Sequence, residues 1–413
     1  MNGAHIFYYR RQYQEILIGD THPEIIAIAR ELSQQSHRYK LFLPFYITHK
    51  ESQFIMKLFR KNSKQLTWLT KRTLPKEIIR DSLSRPFASL DLFIWVLKRL
   101  NLYSSSDKLL RLYKFLLETY LKVFLRFQPN PILICYDTIR LPASIRNMVV
   151  VICPMTHPGK VTHDLRQAAL DYPDWPFFKK SEAPGFLSTS ARADKLVLLS
   201  TYARDSFESA GFDSKKLFVL PIGPINRNLN SFEIKTRKIP QMLQVLFVGP
   251  MGLRKGVPAL LELSFQINDI AKIRLVGPCS KEVARYIHEF SNSQTLTLIP
   301  SPTPQILMEE FKQADIFVMP SYNEGFGIAC VEGMSFGQIP IISRNTGVAE
   351  VLIDTSLERF LIRPGSTEDV IENLKYISML GENDFMALRK ESYRISSLLT
   401  IEKFSKNFVE QFC

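Results

Sequence analysis

The sequence has no hydrophobic run long enough to cross a membrane as a helix. Its apolar runs, such as Met148–Cys153, fall far short of the roughly 18 residues that a spanning helix needs. Residues 1–11 hold a short apolar patch with no small-residue cleavage site after it, so no signal peptide is predicted. The five cysteines form no C-x-x-C pair, which indicates buried thiols in a reducing cytoplasm. We therefore expect a cytoplasmic protein, soluble or lying on the inner face of the cell membrane.

Positive charge is unevenly distributed along the 413 residues. The chain carries 53 Lys and Arg against 40 Asp and Glu, a formal net charge of +13. Residues 1–240 have a net charge of +17, whereas residues 241–413 have a net charge of −4. A basic excess confined to one half indicates contact with something anionic. The length itself predicts about two or three domains.

The most basic segment is 50–126, with 17 Lys and Arg against 6 Asp and Glu. Basic residues mixed with Phe, Trp and Leu are typical of helices that lie on anionic lipid. Amphipathic helices that pack on a sheet and keep their lysines in water have the same pattern, and for a single helix this second interpretation is favoured. For the whole segment both remain open. No RNA-binding aromatic motif or zinc finger is present, so nucleic acid is not an expected partner.

The first half opens with the pattern of a doubly wound α/β domain. A strand is predicted at His5–Arg10, a loop with Gly19 after it, a helix at Pro23–Gln35 and a second strand at Leu41–Phe45. The segment 50–126 has a helical pattern, which includes Phe54–Lys61, Leu90–Leu102 and Leu109–Phe127. The other predicted elements are the strands Ile132–Tyr136, Met148–Cys153, Lys195–Ser200 and Leu217–Leu220 and the helix Thr201–Ala210.

Two loops of this half attract attention. His157 follows the strand Met148–Cys153, and the carboxyl end of a parallel strand is where such folds bind ligands. By position alone, a ligand contact and an ordinary loop histidine are equally good explanations of His157. The loop Tyr172–Phe186 mixes prolines with aromatics. It fits a cover over an acceptor site, a membrane contact or an ordinary surface loop, and the last is favoured.

The second half repeats strand, loop and helix after a polar stretch without periodicity, Asn226–Pro240, which we predict to be a linker. Such crossovers specify a second parallel sheet. The predicted elements are the strands Gln244–Val248, Ile273–Val276, Leu296–Ile299, Ile316–Met319 and Ile339–Ile342 and the helices Pro258–Phe265, Pro304–Gln313 and Ile401–Phe412.

The most informative stretch is 319–342. Glu324 and Glu332 stand eight positions apart, and Gly325-Phe326-Gly327 follows the first of them. Glycines let a backbone approach a ligand closely, and a helix starting at Ile328 offers unpaired N–H groups to an anion. Glu332 would lie about 6 Å along that helix, so it can hold a hydroxyl one sugar's breadth from a phosphate at the helix start.

Arg254 and Lys255 add positive charge to this picture. They follow the predicted strand that ends before Gly249, and two cations with a helix dipole can converge on one pyrophosphate. Such a set stabilises the charge that develops when a nucleoside diphosphate leaves a sugar. Taken alone, the pair is better explained as a solvated turn. Its combination with Glu324 and Glu332 favours a diphosphate site.

The E-x7-E stretch in Ala314–Ile342, with the residues around Gly249, Arg254 and Lys255 and the segment Ser200–Gly211, resembles retaining nucleotide-sugar glycosyltransferases of glycosyltransferase family 4. The resemblance covers residues 195–350. It implies a GT-B fold, in which two Rossmann-like domains face each other across a cleft. Residues 1–235, with the closing helix 396–413 added, would form the acceptor side, and residues 240–395 the donor side.

The resemblance also implies roles for individual residues. The catalytic residues would be Glu324 and His157, with Glu324 at the donor sugar and His157 at the reacting centre. Gly19 marks the acceptor-side loop. The donor-binding residues would be Arg254, Lys255 and Gly249 at the diphosphate, Glu332 at the ribose, and the backbone of Gly325, Phe326, Gly327 and Ile328 at the sugar.

Three positions depart from the family pattern. Pro250 stands where many members have an arginine, which leaves that duty to Arg254. Gly223-Pro224-Ile225 replaces the usual asparagine-glycine-valine-aspartate, and Gly19 is a single glycine where two are frequent. These departures concern the acceptor side more than the donor side.

The implied reaction is sugar transfer with retained anomeric configuration, without metal or other cofactor. The sequence contains no D-x-D pair of the kind that holds a diphosphate through a divalent ion. A front-face displacement assisted by the leaving phosphate is our hypothesis, and no covalent intermediate is expected on Glu324.

The sequence leads to three hypotheses. The first is a hexosyltransferase that moves a sugar from a nucleotide to a glycan or lipid-linked acceptor in cell-surface polysaccharide or glycolipid synthesis. The alternatives are a nucleotide-sugar epimerase on the same scaffold and a non-catalytic membrane-associated scaffold.

Overall fold

The computed structural model describes residues 14–18, 23–42, 74, 76–78, 83–84, 109, 112, 115–116, 119–125, 130–137, 141, 145–177, 188–224 and 240–413. The predicted strand His5–Arg10, the loop residue Gly19 and nearly all of the predicted linker Asn226–Pro240 lie outside the described residues. Most of the basic segment 50–126 does so as well. What the sequence predicts there stays a prediction.

The chain divides into two compact units. One consists of Met1–Cys153, Leu187–Val197 and Ser405–Cys413, and the other of Pro154–Phe186 and Leu198–Phe404. The predicted domain ranges, 1–235 and 240–395, stay a prediction.

Among the described residues, seven strands form the first sheet, in the order β3-β2-β1-β4-β5-β6-β7. The strands are β1 Glu15–Ile18, β2 Tyr39–Phe42, β3 Leu83–Ser84, β4 Ile132–Tyr136, β5 Val149–Cys153, β6 Lys195–Leu198 and β7 Leu217–Val219. Strands β1 to β5 pair in parallel, with Leu17 opposite both Leu41 and Ile134. Every residue of β5 is buried, and such an unbroken run of β-branched and apolar residues is typical of a central parallel strand.

The second sheet has six strands among the described residues, all parallel, in the order β10-β9-β8-β11-β12-β13. These strands are β8 Leu243–Val248, β9 Ala271–Gly277, β10 Leu296–Pro300, β11 Ile316–Met319, β12 Ile339–Ser343 and β13 Leu361–Ile362. Val245 of β8 lies opposite Ile273 on one side and Ile316 on the other. Strand order reverses beside β8, so the loops after β8 and β11 leave the sheet side by side, where this class of fold binds ligands.

Helices connect the strands. They are α1 Pro23–Gln34, α2 Pro158–Asp171, α3 Ser188–Ala191, α4 Thr201–Glu208, α5 Val257–Ser264, α6 Lys281–Glu289, α7 Pro304–Gln313, α8 Ile328–Met334, α9 Thr367–Ser378, α10 Glu382–Ser397 and α11 Ile401–Phe412. Several begin with side-chain caps that satisfy an otherwise unpaired N–H. Thr303 accepts from the Ile306 N–H ahead of Pro304, and Ser200 accepts from the Ala203 N–H. No helix in the described part of the chain is both long and apolar enough to cross a membrane.

The predicted fold class, α/β with two parallel sheets, is confirmed. The helices Pro304–Gln313 and Ile401–Phe412 and the strand Ile316–Met319 begin and end where predicted. The first described strand, Glu15–Ile18, lies where the sequence analysis predicts a loop. The short strands β3 and β13 and the helices α2, α3, α6, α9 and α10 have no counterpart among the predicted elements.

A buried ion pair ties α10 to the second sheet. Asp315, fully buried just before β11, accepts from the Gln244 N–H at 3.0 Å and from Arg389 at 3.3 Å. Arg389, 4% exposed, also donates to the carbonyl of Phe336. The single carboxylate therefore connects the strands β8 and β11 with the helix α10.

Replacing Arg389 by Met tests this connection. We expect the free energy of unfolding to fall by about 3 kcal/mol, because the change leaves Asp315 charged and buried without its cation. Arg394→Met is the matched control, since Arg394 lies on the same helix in an exposed pair with Glu391. That control should cost at most about 1 kcal/mol in urea unfolding. Equal losses for the two variants would contradict the structural role of Asp315 and Arg389.

Candidate active site

The E-x7-E stretch begins where strand β11 ends. The four residues of β11 are buried, and the chain then turns through Pro320 to Glu324. The backbone of Glu324 is fixed on both sides, because its N–H donates to Asn345 and its carbonyl accepts from the Gly347 N–H, each at 3.0 Å. The carboxylate of Glu324 is thus held by a braced loop.

Two glycines after Glu324 are required by the local geometry. A Cβ atom on Gly325 would overlap the carbonyl oxygen of Pro154, so this position accepts no side chain. Gly327 has φ 97°, a left-handed conformation that L side chains rarely adopt. The close approach at Gly325 brings the Glu324 loop against the segment that leads to His157.

Arg254 and Lys255 approach Glu324 from the neighbouring strand. They lie on the short 3-10 helix Leu253–Lys255, which follows β8. The Lys255 ammonium forms an ion pair and hydrogen bond with the Glu324 carboxylate, and Arg254 Nη1 lies 3.4 Å from the same Oε2. Arg254 also donates to the carbonyl of Asn323 at 2.8 Å. The two predicted cations and the first predicted carboxylate therefore form one cluster.

The cluster carries more positive than negative charge. The side chains of Arg254, Lys255 and Glu324 are 21%, 11% and 14% exposed. Burial alone would raise the pKa of Glu324, but the attraction of Lys255 and Arg254 outweighs it and holds that pKa below its ordinary value. Glu324 is therefore ionised at neutral pH. Burial lowers the pKa of Lys255 from its ordinary value, while the Glu324 carboxylate opposes that shift, so two basic side chains face a single carboxylate, which suits an anionic ligand.

The pKa of Glu332 is shifted in the opposite direction from that of Glu324. It lies on α8, and burial raises its pKa to about 7. No described side chain or backbone N–H donates to its carboxylate. A half-buried carboxylate without a partner is costly, because only a donor from outside can replace the water it has lost. Hydroxyl groups of a ligand are such donors.

His157 caps helix α2. Its Nδ1 accepts from the Gly159 N–H at 3.1 Å, and its own N–H donates to Ser206 at 2.8 Å. The ring lies edge-on to Phe207 and Phe212, and burial lowers the pKa of His157. Because Nδ1 accepts, the neutral imidazole carries its proton on Nε2, which makes Nε2 a donor. A pocket of about 470 Å³ opens beside this ring.

A buried polar network joins the His157 segment to the Glu324 loop. Asn323, fully buried, donates to Asp164 on α2 at 2.7 Å and accepts from the Thr156 hydroxyl at 2.7 Å. Asp164, 4% exposed, also accepts from Tyr202 at 3.2 Å and from Lys160 at 2.7 Å. Thr156 precedes His157 and Asn323 precedes Glu324, so the network sets the position of one segment against the other.

This network is not predicted from the sequence. The sequence contains two hints of the network. His157, Lys160 and Asp164 have helical spacing, and Asn323 stands directly before Glu324. What the sequence alone lacks is the pairing between Asp164 and a residue so distant in the chain.

The other predicted site residues occupy the same loops. Gly249 follows β8, and Phe326 is buried with its carbonyl accepting from the Val348 N–H at 2.7 Å. Ile328 is the first residue of α8, which has seven residues. Gly19 lies outside the described residues. Within the described ranges, no group of three or more His, Cys, Asp and Glu side chains is placed to hold a metal ion.

The part of the chain that contains this cluster matches a known family model. Residues 231–390 match the model described as "Glycosyl transferases group 1". The matched range includes Arg254, Lys255, Glu324 and Glu332. The match supports a glycosyltransferase.

Curated relatives match about half of the chain. The D-inositol 3-phosphate glycosyltransferase of Nocardia farcinica is 24% identical over 251 residues, which is 56% of this chain and 54% of the relative. The N,N'-diacetylbacillosaminyl-diphospho-undecaprenol alpha-1,3-N-acetylgalactosaminyltransferase of Campylobacter jejuni is 26% identical over 181 residues, 44% of this chain and 46% of the relative. The chain thus spans about half the length of the curated relatives it matches.

A solved structure resembles the chain over nearly its whole length. The Anabaena protein HepE, in complex with UDP and glucose, superposes with a TM-score of 0.57 at 13% identity, covering 97% of this chain and 99% of that chain. At this identity the likeness concerns the fold alone. The predicted fold class, two Rossmann-like domains of the GT-B type, is confirmed.

Exchanging the carboxylate of Asp164 and the amide of Asn323 tests whether these two groups are in direct contact. Asp164→Asn removes the accepting charge, and Asn323→Asp sets two carboxylates against each other, so each should lower the free energy of unfolding by about 2 kcal/mol. The double variant restores a carboxylate–amide pair with its direction reversed. We expect it to recover stability, with a coupling energy of about 1–3 kcal/mol in urea unfolding. Simple addition of the two losses would contradict a direct contact between Asp164 and Asn323.

Proposed function

We propose that the protein is a retaining, metal-independent glycosyltransferase of family 4 that moves a sugar from a nucleoside-diphosphate donor to a glycan or lipid-linked acceptor. The observation that carries the proposal is the convergence of Arg254 and Lys255 on Glu324 within the range that matches the group 1 model. Cell-surface polysaccharide or glycolipid synthesis is the process we propose for it.

The donor diphosphate would bind at the two cations. Its negative charges would replace the Glu324 carboxylate as partner of Lys255 and Arg254, and an arginine in this place can bind phosphate through two N–H groups. Glu324, released from the ion pair, would then accept hydrogen bonds from the donor sugar. When the bond between sugar and phosphate breaks, the same cations stabilise the charge on the departing diphosphate.

Retention would follow from attack on the face of the sugar that the diphosphate leaves. The departing phosphate oxygen can take the proton of the acceptor hydroxyl, so Glu324 acts by positioning and forms no covalent intermediate. His157, neutral with its proton on Nε2, would donate a hydrogen bond to the reacting sugar. Glu332 would accept from the ribose hydroxyls, which provide the donors that its carboxylate lacks.

The acceptor side of the proposal rests on the relatives and on charge. The Campylobacter jejuni relative is named for a diphospho-undecaprenol acceptor, which is a lipid-linked glycan. The basic segment 50–126 and its proposed contact with an anionic membrane surface fit such an acceptor, as would a peripheral position at the cytoplasmic face. The comparisons do not favour the epimerase or the non-catalytic scaffold.

A screen of donors tests the function. We expect one nucleoside diphosphate and its sugar to raise the melting temperature, since a ligand at 100 times its dissociation constant adds about 2.7 kcal/mol of stability. Lys255→Met should remove the shift, whereas Lys272→Met, an exposed lysine on β9, should keep it. With the donor found, NMR of the glycosylated acceptor should show the anomeric configuration of the donor.

Three outcomes would contradict the proposal. One is the lack of a shift with any nucleoside diphosphate or nucleotide sugar, and another is a product of inverted configuration. Conversion of the nucleotide sugar to an isomer without release of diphosphate would favour the epimerase instead.

Glu332 makes the affinity for donor depend on pH. With its pKa at about 7, the carboxylate is partly protonated at neutral pH, and only the ionised form accepts from both ribose hydroxyls. The dissociation constant of the nucleotide sugar, whose diphosphate has no group that titrates in this range, should be nearly constant above pH 7 and rise up to about tenfold per unit below it. In Glu332→Gln this dependence should vanish, while Glu309→Gln, at an exposed position, should keep it. An unchanged pH profile in Glu332→Gln would exclude this role.

A further inference from the structure

A second pocket lies away from the Glu324 cluster. It has a volume of about 240 Å³ and opens between the loop after α2 and the helices α5 and α6. We call it the aromatic pocket and define it by Tyr172, Trp175, Glu262, Phe265, Tyr286 and Phe290. This loop begins the stretch Tyr172–Phe186, which is rich in prolines and aromatics. A cover over an acceptor site is one of the interpretations that the sequence allows for it. Nothing in the donor chemistry uses it.

Aromatic rings form the walls. Trp175 and Tyr286 meet edge to face with centroids 5.3 Å apart, and Tyr286 stacks on Phe290 at 4.4 Å. Phe265 is 56% exposed and Phe290 49% exposed, although large apolar side chains are usually covered. Exposed ring faces beside a concave site are suited to a ligand with flat C–H surfaces.

The charged groups that line the pocket among the described residues are all acidic. They are Asp171, Asp174 and Glu262, in a chain whose net charge is +13. These carboxylates accept hydrogen bonds and repel anions. The described lining therefore disfavours phosphate groups, nucleotides and anionic lipid as ligands.

Two kinds of ligand remain, a cation and a neutral sugar, and Trp175 distinguishes between them. The residue is 5% exposed, and its Nε1–H has no acceptor in the described part of the chain. A buried donor without an acceptor is rare in folded proteins. A cation accepts no hydrogen bond and would leave this N–H unsatisfied. A neutral sugar hydroxyl can accept from Trp175, directly or through one water, and donate to a carboxylate.

We propose that the aromatic pocket binds a single neutral pyranose ring. The ring would place its C–H face on Tyr286 and Phe290 and its hydroxyls among Asp174, Glu262 and Trp175. The volume suits one ring and is too small for a nucleotide, since sites for larger small molecules span roughly 300–1,000 Å³.

The pocket is connected to the E-x7-E loop. The Tyr322 hydroxyl donates to Asp171 at 2.6 Å, and Tyr322 stands two residues before Glu324. The Tyr172 hydroxyl donates to the carbonyl of Gly365 at 2.9 Å. We assign the bound ring to the acceptor glycan, at a unit that is not the one being glycosylated, and this assignment alone rests on the proposed function.

Titration with methyl glycosides tests the pocket. The probes are the methyl glycosides of glucose, galactose, mannose and N-acetylglucosamine, observed through the indole N–H signals of the ¹⁵N-labelled full chain. We expect at least one to shift the Trp175 signal, which Trp175→Phe identifies. Phe265→Ala and Phe290→Ala, at exposed positions, should each weaken binding at least tenfold. Ile306→Ala, an exposed residue outside the pocket, should leave it unchanged.

Several results would overturn the proposal. They are the absence of binding by any methyl glycoside, binding that is unchanged in Phe265→Ala and Phe290→Ala, and preferential binding of tetramethylammonium. The melting-temperature shift with nucleoside diphosphate is measured on the same variants and should equal that of the wild type. Glycoside binding without any nucleotide shift would refute the proposed function and keep the pocket as a sugar site, whereas a nucleotide shift without glycoside binding would refute the pocket alone.

Discussion

The site depends on an unequal balance of buried charge. Lys255 and Arg254 face the single carboxylate of Glu324, with all three side chains largely out of water. Removing ions from water is costly, and an ion pair compensates only in part. The arrangement is sustained because the Glu324 backbone is fixed by Asn345 and Gly347 and because Arg254 also binds the carbonyl of Asn323. A fold that keeps one uncompensated positive charge at the end of two adjacent strands is prepared for an anion.

The two glutamates of the E-x7-E stretch differ in pKa because their surroundings differ. Glu324 is held ionised by its cations, while Glu332, to which no described residue donates, has its pKa raised to about 7 by burial. Such opposite shifts within one site usually mark groups with different tasks. Glu324 lies in the braced loop, and Glu332, eight positions later, lies on the helix that follows it.

The sequence predicts what depends on local pattern. Buried strands such as Ile316–Met319 are recognisable as apolar runs ended by proline or glycine, and Arg254, Lys255 and Glu324 follow such strands at the edge where ligands bind. It does not predict contacts between distant segments. Asp164 and Asn323 are ordinary polar residues until the fold pairs them, and Gly325 is required by the backbone of Pro154, which no spacing rule connects with it. Glu15–Ile18 was missed because the nearby aromatic run in His5–Arg10 has the stronger strand pattern, so the first strand is predicted there.

The path of the chain has a consequence for biosynthesis. The first unit takes in Met1–Cys153, the short piece Leu187–Val197 and finally Ser405–Cys413. Its last segment leaves the ribosome only after the whole of the second unit has been translated. The first unit can therefore be completed only after residue 404 has been translated, when the second unit is already whole. A nascent chain of this kind exposes apolar surface early, at the stage when chaperones act.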